Sequence, residues 1–204
     1  MDKKIPRVIV LLAQGFEEIE ALTPVDYLRR AGIEVCAASV NDTSVGKTVT
    51  GSHEIPVIAD AVLEELAAEN KLLPLMWDAV VIPGGLPGSS NLAASVRTGK
   101  FITEMAANGK WVCAICAAPA LVLAPLKLLN GRCFTCYPGY EEKVISASDT
   151  AVRKEGKVVI DRNNDSGGII TSQGAGTAGE FSVAIIEVLL GETAAKQIAD
   201  KVLL

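Results

Sequence analysis

The chain has 204 residues, half of them apolar and only 4% aromatic, with a formal net charge of −5. A chain of this size and apolarity fills a core without disulfides or a structural metal, and its length predicts one domain over residues 1–204. The acidic balance and the absence of a Lys/Arg run exclude nucleic acid as the main partner, because phosphate binding needs a basic face.

The opening MDKKIPRVIVLL pairs a charged start with an apolar run, but Val8 to Ala13 is only six residues. A secretory core needs roughly 7–15, so the run predicts a first strand, Arg7–Ala13. No stretch approaches the roughly 20 apolar residues of a membrane span. A cytoplasmic protein with no membrane partner is expected, its five cysteines reduced.

Gln14-Gly15-Phe16 then turns, and Glu17, Glu18 and Glu20 open a helix through about Ala31, closed by Gly32. Glu34–Ser39 is a second strand, completing a βαβ unit and implying a parallel sheet. Lys47–Thr50 and Ile55–Ile58 pair as a small hairpin, and Asp60–Glu69 has helical pattern. Trp77–Ile82 is a buried strand ending in Pro83-Gly84-Gly85, and Val96–Asn108 is a helix. Trp111–Ile115 is another buried strand, with Cys116 at its end and a helix after it. Arg132–Tyr137 reads as a short strand and Gly139–Lys143 as a loop or short helix. Val158–Asp161 and Gly168–Ser172 are strands, and two helices close the chain, one with core Phe181–Leu190 and one over Glu192–Val202. The βαβ alternation predicts a doubly wound, three-layer α/β domain.

Cys116 is the candidate reactive group. Ala117, Ala118 and Pro119 suit a helix start. A thiol at that corner meets free backbone N–H groups and the positive end of a helix dipole, which favour thiolate. The competing reading is an inert core cysteine. The Gly84–Gly85 corner sits where open α/β sheets place ligands and offers backbone donors for an oxyanion. Cys113, Cys116, Cys133 and Cys136 form two C-x-x-C pairs sixteen residues apart, a zinc-like spacing. Residues three apart on a strand face opposite sides, so no metal is expected there. Glu17 and Glu18 read as solvated helix-dipole charges. Glu20 could face inward, where burial would keep it protonated and hydrogen-bonded to the thiolate. His53, the one histidine, lies in the polar hairpin and gives weak support for a Cys–His–acid triad. Gly174-Ala175-Gly176-Thr177-Ala178-Gly179 matches a dinucleotide loop by spacing. Little chain follows it, however, so a tight turn at the site's edge is the better reading and no cofactor is expected.

Together these motifs resemble the DJ-one/ThiJ/PfpI family, in its DJ-one-like branch, over nearly the whole chain. GFEEIEALTPVDYLRRAG (15–32), VVIPGGLPG (80–88), AICAAPALVLA (114–124) and TSQGAGTAGEF (171–181) carry the likeness. The resemblance implies a flavodoxin-like three-layer α/β/α sandwich with a mostly parallel sheet, in most members a homodimer. It places the family's cysteine at Cys116 on a strained nucleophile elbow and the protonated glutamate at Glu20. Gly84, Gly85 and Ala117 would supply the anion-binding backbone. It implies a cofactor-free glyoxalase or deglycase acting on small reactive carbonyls such as methylglyoxal, with a cysteine that oxidises readily to a sulfinate. Family members also include proteases, chaperones and proteins named for thiamine biosynthesis. In a redox sensor or chaperone-like protein, that oxidation would control partner binding without turnover. Two positions depart from the pattern. Tyr137-Pro138 stands where several members carry histidine before proline, and a phenol, titrating near pH 10, is a poor base at neutral pH, which argues against protease activity. His53 falls where relatives have an arginine near the pocket across the dimer interface. Tyr137 and His53 are therefore accessory candidates.

Overall fold

A computed structural model describes residues 4–41, 43–163 and 167–204. The chain runs β1 (Arg7–Leu12), α1 (Glu18–Arg30), β2 (Glu34–Ser39), β3 (Thr48–Thr50), β4 (Pro56–Ile58), β5 (Ala61–Val62) and α2 (Leu63–Ala68). It continues with β6 (Ala79–Ile82), α3 (Gly88–Ala94), α4 (Val96–Ala107), β7 (Trp111–Ile115), β8 (Cys133–Phe134), α5 (Glu141–Ala147) and β9 (Val152–Arg153). β10 (Val158–Arg162), β11 (Gly168–Ser172), α6 (Ala178–Leu190) and α7 (Glu192–Val202) complete it.

The central sheet has the order β10-β11-β7-β6-β1-β2-β5. Every pairing in it is parallel except β10 with β11. Successive β1 residues feed opposite cores: Val8, Val10 and Leu12 pack on one side, Ile9, Leu11 and Ala13 on the other. Both faces are covered, so the strand is apolar throughout rather than alternating. The first core is closed by α1, α6 and α7, the second by α2, α3 and α4. The result is a flavodoxin-like α/β/α sandwich. β1 pairs with β2 on one side and β6 on the other, so strand order reverses beside β1. Ligand crevices of open α/β sheets form at such a reversal, beyond the strand C-termini. The loops after β1, β6 and β7 meet there.

The elements that differ from expectation have local causes. No regular α-helix follows Cys116. Pro119–Leu123 instead forms one wide turn, with the Ala124 N–H donating to the Pro119 carbonyl at 3.0 Å. Pro119 and Pro125 lack N–H groups, and a proline in an α-helix also clashes with the preceding turn. The expected strand Arg132–Tyr137 contributes only β8, which pairs with β9 outside the main sheet. Asp161 holds that ribbon to β10, accepting from Cys133 N at 2.6 Å and Arg132 Nη1 at 2.8 Å. β5 takes the first residues of the expected Asp60–Glu69 helix into the sheet edge, α5 extends beyond the expected short segment, and α3 is additional. The β3–β4 hairpin forms as read.

Phe181 is fully buried where α6 meets the sheet. Phe181→Ala is expected to cost about 3–5 kcal/mol, read as a lower urea midpoint with an unchanged slope.

Candidate active site at the Cys116 corner

Cys116 adopts a left-handed backbone conformation, φ 64°, which costs a non-glycine residue roughly 1–2 kcal/mol. Two bonds hold it there. Its N–H donates to the Ser172 carbonyl at 3.0 Å, and its carbonyl accepts from the Tyr137 N–H at 2.8 Å. The kink turns the thiol away from the strand and toward α1. Glu20 comes from the first turn of α1, whose start is fixed by Glu17: its Oε2 accepts the Glu20 N–H at 2.7 Å. Glu20 is 1% exposed. Its Oε2 accepts the Gly84 N–H at 2.8 Å, and its carboxyl stands against the Cys116 thiol across Gly84, with the turn at Ala175 beside it.

Gly84 makes this contact possible. A Cβ there would lie 2.5 Å from Glu20 Oε2 and 2.6 Å from Cys116 Cβ. Gly85 is left-handed, φ 89°, and a Cβ on it would strike the Gly15 carbonyl at 2.6 Å. The loops after β1 and β6 therefore meet backbone to backbone, locked by a Glu17 N–H to Gly84 carbonyl bond of 3.0 Å.

Burial, aided by the Glu17 charge, raises Glu20 to about 7, although hydrogen bonds from Cys116, Gly84 and Ala175 pull it down. Burial first, then the Glu20 charge and hydrogen bond, push the Cys116 thiol up to about 12 against the Ala117 and Gly85 amides. The expected helix-dipole activation is thus corrected: one wide turn supplies little dipole, and the adjacent carboxylate opposes ionisation. Placing a proton on Glu20 removes that opposition. The two groups act as one proton-sharing unit, and Glu20 titrates near neutrality.

Glu18 departs from the solvated reading. It is 5% exposed and anchors the hairpin. Its Oε1 accepts the His53 N–H at 2.8 Å, and its Oε2 lies 2.8 Å from His53 Nδ1. Burial opposes the Glu18 charge, but the bonds from His53 prevail and hold its carboxyl below the usual range. The same hydrogen bond raises the His53 imidazole. Glu17, Glu18 and His53 bring metal-type donor atoms within 4.8 Å of one another, and the His53–Glu18 bond accounts for that closeness.

A pocket of about 240 Å³ opens over Cys116, Gly85 and Ala117, with Glu17 and His53 on one side and Leu86, Tyr137 and Tyr140 on the other. Tyr137 meets Tyr140 edge to face, ring centroids 6.2 Å apart. It is the amide of Tyr137, not its hydroxyl, that touches Cys116. The structure thus brings all seven sequence-selected residues to one crevice: Cys116, Glu20, Gly84, Gly85, Ala117, His53 and Tyr137. The zinc-like set does not assemble. Cys113 and Cys136 lie in opposite cores, and all five cysteines are free. Sequence reasoning missed the Ala175 N–H and the Ser172 carbonyl. The glycine-rich stretch was the only signal of the former, and it works as a turn beside Glu20.

The sequence model described as the DJ-1/PfpI family matches residues 6–188. The chain belongs to the DJ-1/PfpI family. It is 37% identical over 199 residues to Protein DJ-1 homolog B of Arabidopsis thaliana, covering 98% of this chain and 42% of that protein. It is 35% identical to the Parkinson disease protein 7 homolog of Danio rerio, covering 97% of each. The structure of oxidized Toxoplasma gondii DJ-1 is similar at a TM-score of 0.85 and 36% identity, over 97% of this chain and 98% of that one. The chain therefore spans less than half of the plant relative and nearly all of the fish relative. DJ-1 proteins are commonly homodimers, and the family includes glyoxalase, deglycase and protease-like members. No helix among the described residues is long and apolar enough to cross a membrane.

An acid whose folded pKa stands above its unfolded value loses stability as pH rises between the two. For Glu20 that window runs from its ordinary 4.5 to about 7. The wild type is expected to lose about 3 kcal/mol across it, and Glu20→Gln to lose much less, measured by urea unfolding at both ends of the window. Gly84→Ala, which forces Glu20 and Cys116 apart, is expected to cost about 1–3 kcal/mol by the same measurement.

Proposed function

We propose that this protein is a stress-protective, cofactor-free enzyme of the cytoplasm that converts reactive 2-oxoaldehydes such as methylglyoxal into 2-hydroxy acids. In this reading residues 1–204 act as one domain within a homodimer. The observation that carries it is the buried Glu20 carboxyl set against the Cys116 thiol, which itself lines a small pocket. A group titrating near neutrality gives and takes protons with comparable ease, which suits a base that must return its proton.

The chemistry balances without a cofactor. Cys116 Sγ bonds to the aldehyde carbon, and the thiol proton passes to the aldehyde oxygen, giving a hemithioacetal. Glu20 removes the proton from that carbon and delivers it to the neighbouring carbonyl carbon as electrons shift along the enediol. The product is a thioester of the 2-hydroxy acid on Cys116. Water cleaves the thioester, releasing the acid and restoring the thiol. Amides of Gly85 and Ala117, with Gly84 shaping the corner, stabilise the oxyanion of each addition. His53 and Tyr137 line the entrance. With Tyr137 in place of a histidine base, peptide hydrolysis is disfavoured.

Lactate should form from methylglyoxal without glutathione, vanish in Cys116→Ser, and fall by roughly 10²-fold or more in Glu20→Gln. A folded, reduced protein with no turnover would overturn the reading.

One relative's structure is described as oxidized, and this favours a second reading, a redox sensor. Two equivalents of peroxide would convert Cys116 to a sulfinate with release of two waters, changing partner binding rather than turnover. Intact mass after mild peroxide should show a two-oxygen gain confined to Cys116, whereas equal oxidation of all five cysteines would speak against it.

A further inference from the structure

We propose that the turn Tyr137-Pro138-Gly139-Tyr140 is the specificity element of the crevice, selecting 2-oxoaldehydes with an aromatic substituent, such as phenylglyoxal, over methylglyoxal. The inference rests on the dicarbonyl reading and names the substrate class within it. The sequence builds the turn directly. The Tyr140 N–H donates to the Tyr137 carbonyl at 3.1 Å, closing the turn, and Gly139 is left-handed at φ 90°. Proline followed by a left-handed glycine at the two central positions is the signature of a type II turn. The tyrosines are its outer residues, so the turn sets their rings side by side, edge to face.

Two anchors fix that aromatic pair at the reactive corner. The Tyr137 N–H donates to the Cys116 carbonyl at 2.8 Å, which ties the turn to the elbow itself. Glu141, at the start of α5, clamps the other end. Its Oε2 accepts the Gly139 N–H at 2.7 Å, and its Oε1 pairs with Arg153 Nη2 on β9 at 3.1 Å. Glu141 is thereby a positioning residue, acting through the turn. Lys143 Nζ lies 5.1 Å from the Tyr140 ring centroid and adds a cation–π contact.

Leu86 joins the tyrosines on their side of the crevice, and Leu86 and Tyr137 are 52% and 49% exposed. Ligand crevices pair such apolar walls with a few polar groups that fix orientation. With the aldehyde carbon on Cys116 Sγ and the substrate oxygens toward Gly85, Ala117 and His53, the remaining substituent meets the wall. A methyl group covers little of it. A phenyl ring covers more and completes an aromatic cluster with the tyrosine pair. The reaction keeps the steps and the atom balance of the methylglyoxal reaction, with mandelate as the product.

In the wild type, kcat/KM for phenylglyoxal should exceed that for methylglyoxal by roughly 10-fold or more, with the difference mainly in KM. Tyr140→Ala should bring that ratio near unity, Tyr140→Phe should keep it, and Glu141→Ala should lower it by releasing the turn. Independently of turnover, mandelate should protect Cys116 from iodoacetamide at a concentration roughly 10-fold below that needed of lactate, followed by mass spectrometry of the Cys116 peptide. Tyr140→Ala should abolish this difference. Protection without turnover of either aldehyde would leave the aromatic subsite standing and bring down the dicarbonyl reading. Wild-type turnover of both aldehydes at a ratio near unity would overturn the subsite and leave that reading intact. A folded Tyr140→Ala with the wild-type ratio would overturn the role of the turn, and a folded Glu141→Ala with that ratio the role of Glu141. Should Tyr140→Ala fail to fold, Leu86→Ala on the same wall carries the comparison, with the same fall expected.

Discussion

The site depends on a carboxyl held against a thiol across a residue with no side chain. Glu20 and Cys116 come from different βα units, separated in the sheet by β6, whose terminal loop supplies Gly84. Hydrogen is the only substituent that fits between them. Three strands must end in register for this to happen, and the parallel pairing of β1, β6 and β7 provides that. The active geometry is thus a property of the sheet's edge as much as of any one loop.

Most of the work at this edge is done by backbone. The elbow is held by one N–H and one carbonyl of Cys116, the helix entry by the Glu17 cap, and the carboxyl by the Gly84 amide. Such donors do not reorient during a reaction, so the polarity of the site is built before substrate arrives. The outer side is organised differently. There a buried carboxylate, Glu18, grips the hairpin through the exposed loop at His53. Two glutamates in the first turn of α1 serve opposite ends of the crevice, Glu18 tying down a loop while Glu20 meets the thiol.

Strands β1, β6 and β7 were legible in the sequence because a strand covered on both faces has to be apolar along its whole length. The corner glycines and Cys116 were legible because the switch in periodicity marks where strand gives way to turn. Glu20 was legible from its place after the first strand and from the family resemblance. The wide turn after Cys116 was hidden because composition favoured helix, and the effect of two prolines six positions apart shows only when the carbonyls they fail to serve are located. Glu18 was misread because its partner lies 35 positions away, across a hairpin whose docking no local pattern encodes. Ala175 was invisible for a simpler reason: every residue but proline has an N–H, and letters do not say where it points.

Gly15, Gly84, Gly85 and Gly88 interlock so closely that a methyl group on any of them would overlap a neighbouring loop. These positions have almost no substitutional freedom, yet none offers a functional side chain. The rim positions, Leu86, Tyr137, Tyr140 and His53, border open space and can vary without disturbing the corner. Side-chain changes that alter what the crevice admits are therefore confined in this chain to the rim, because the glycine corner has no room for them.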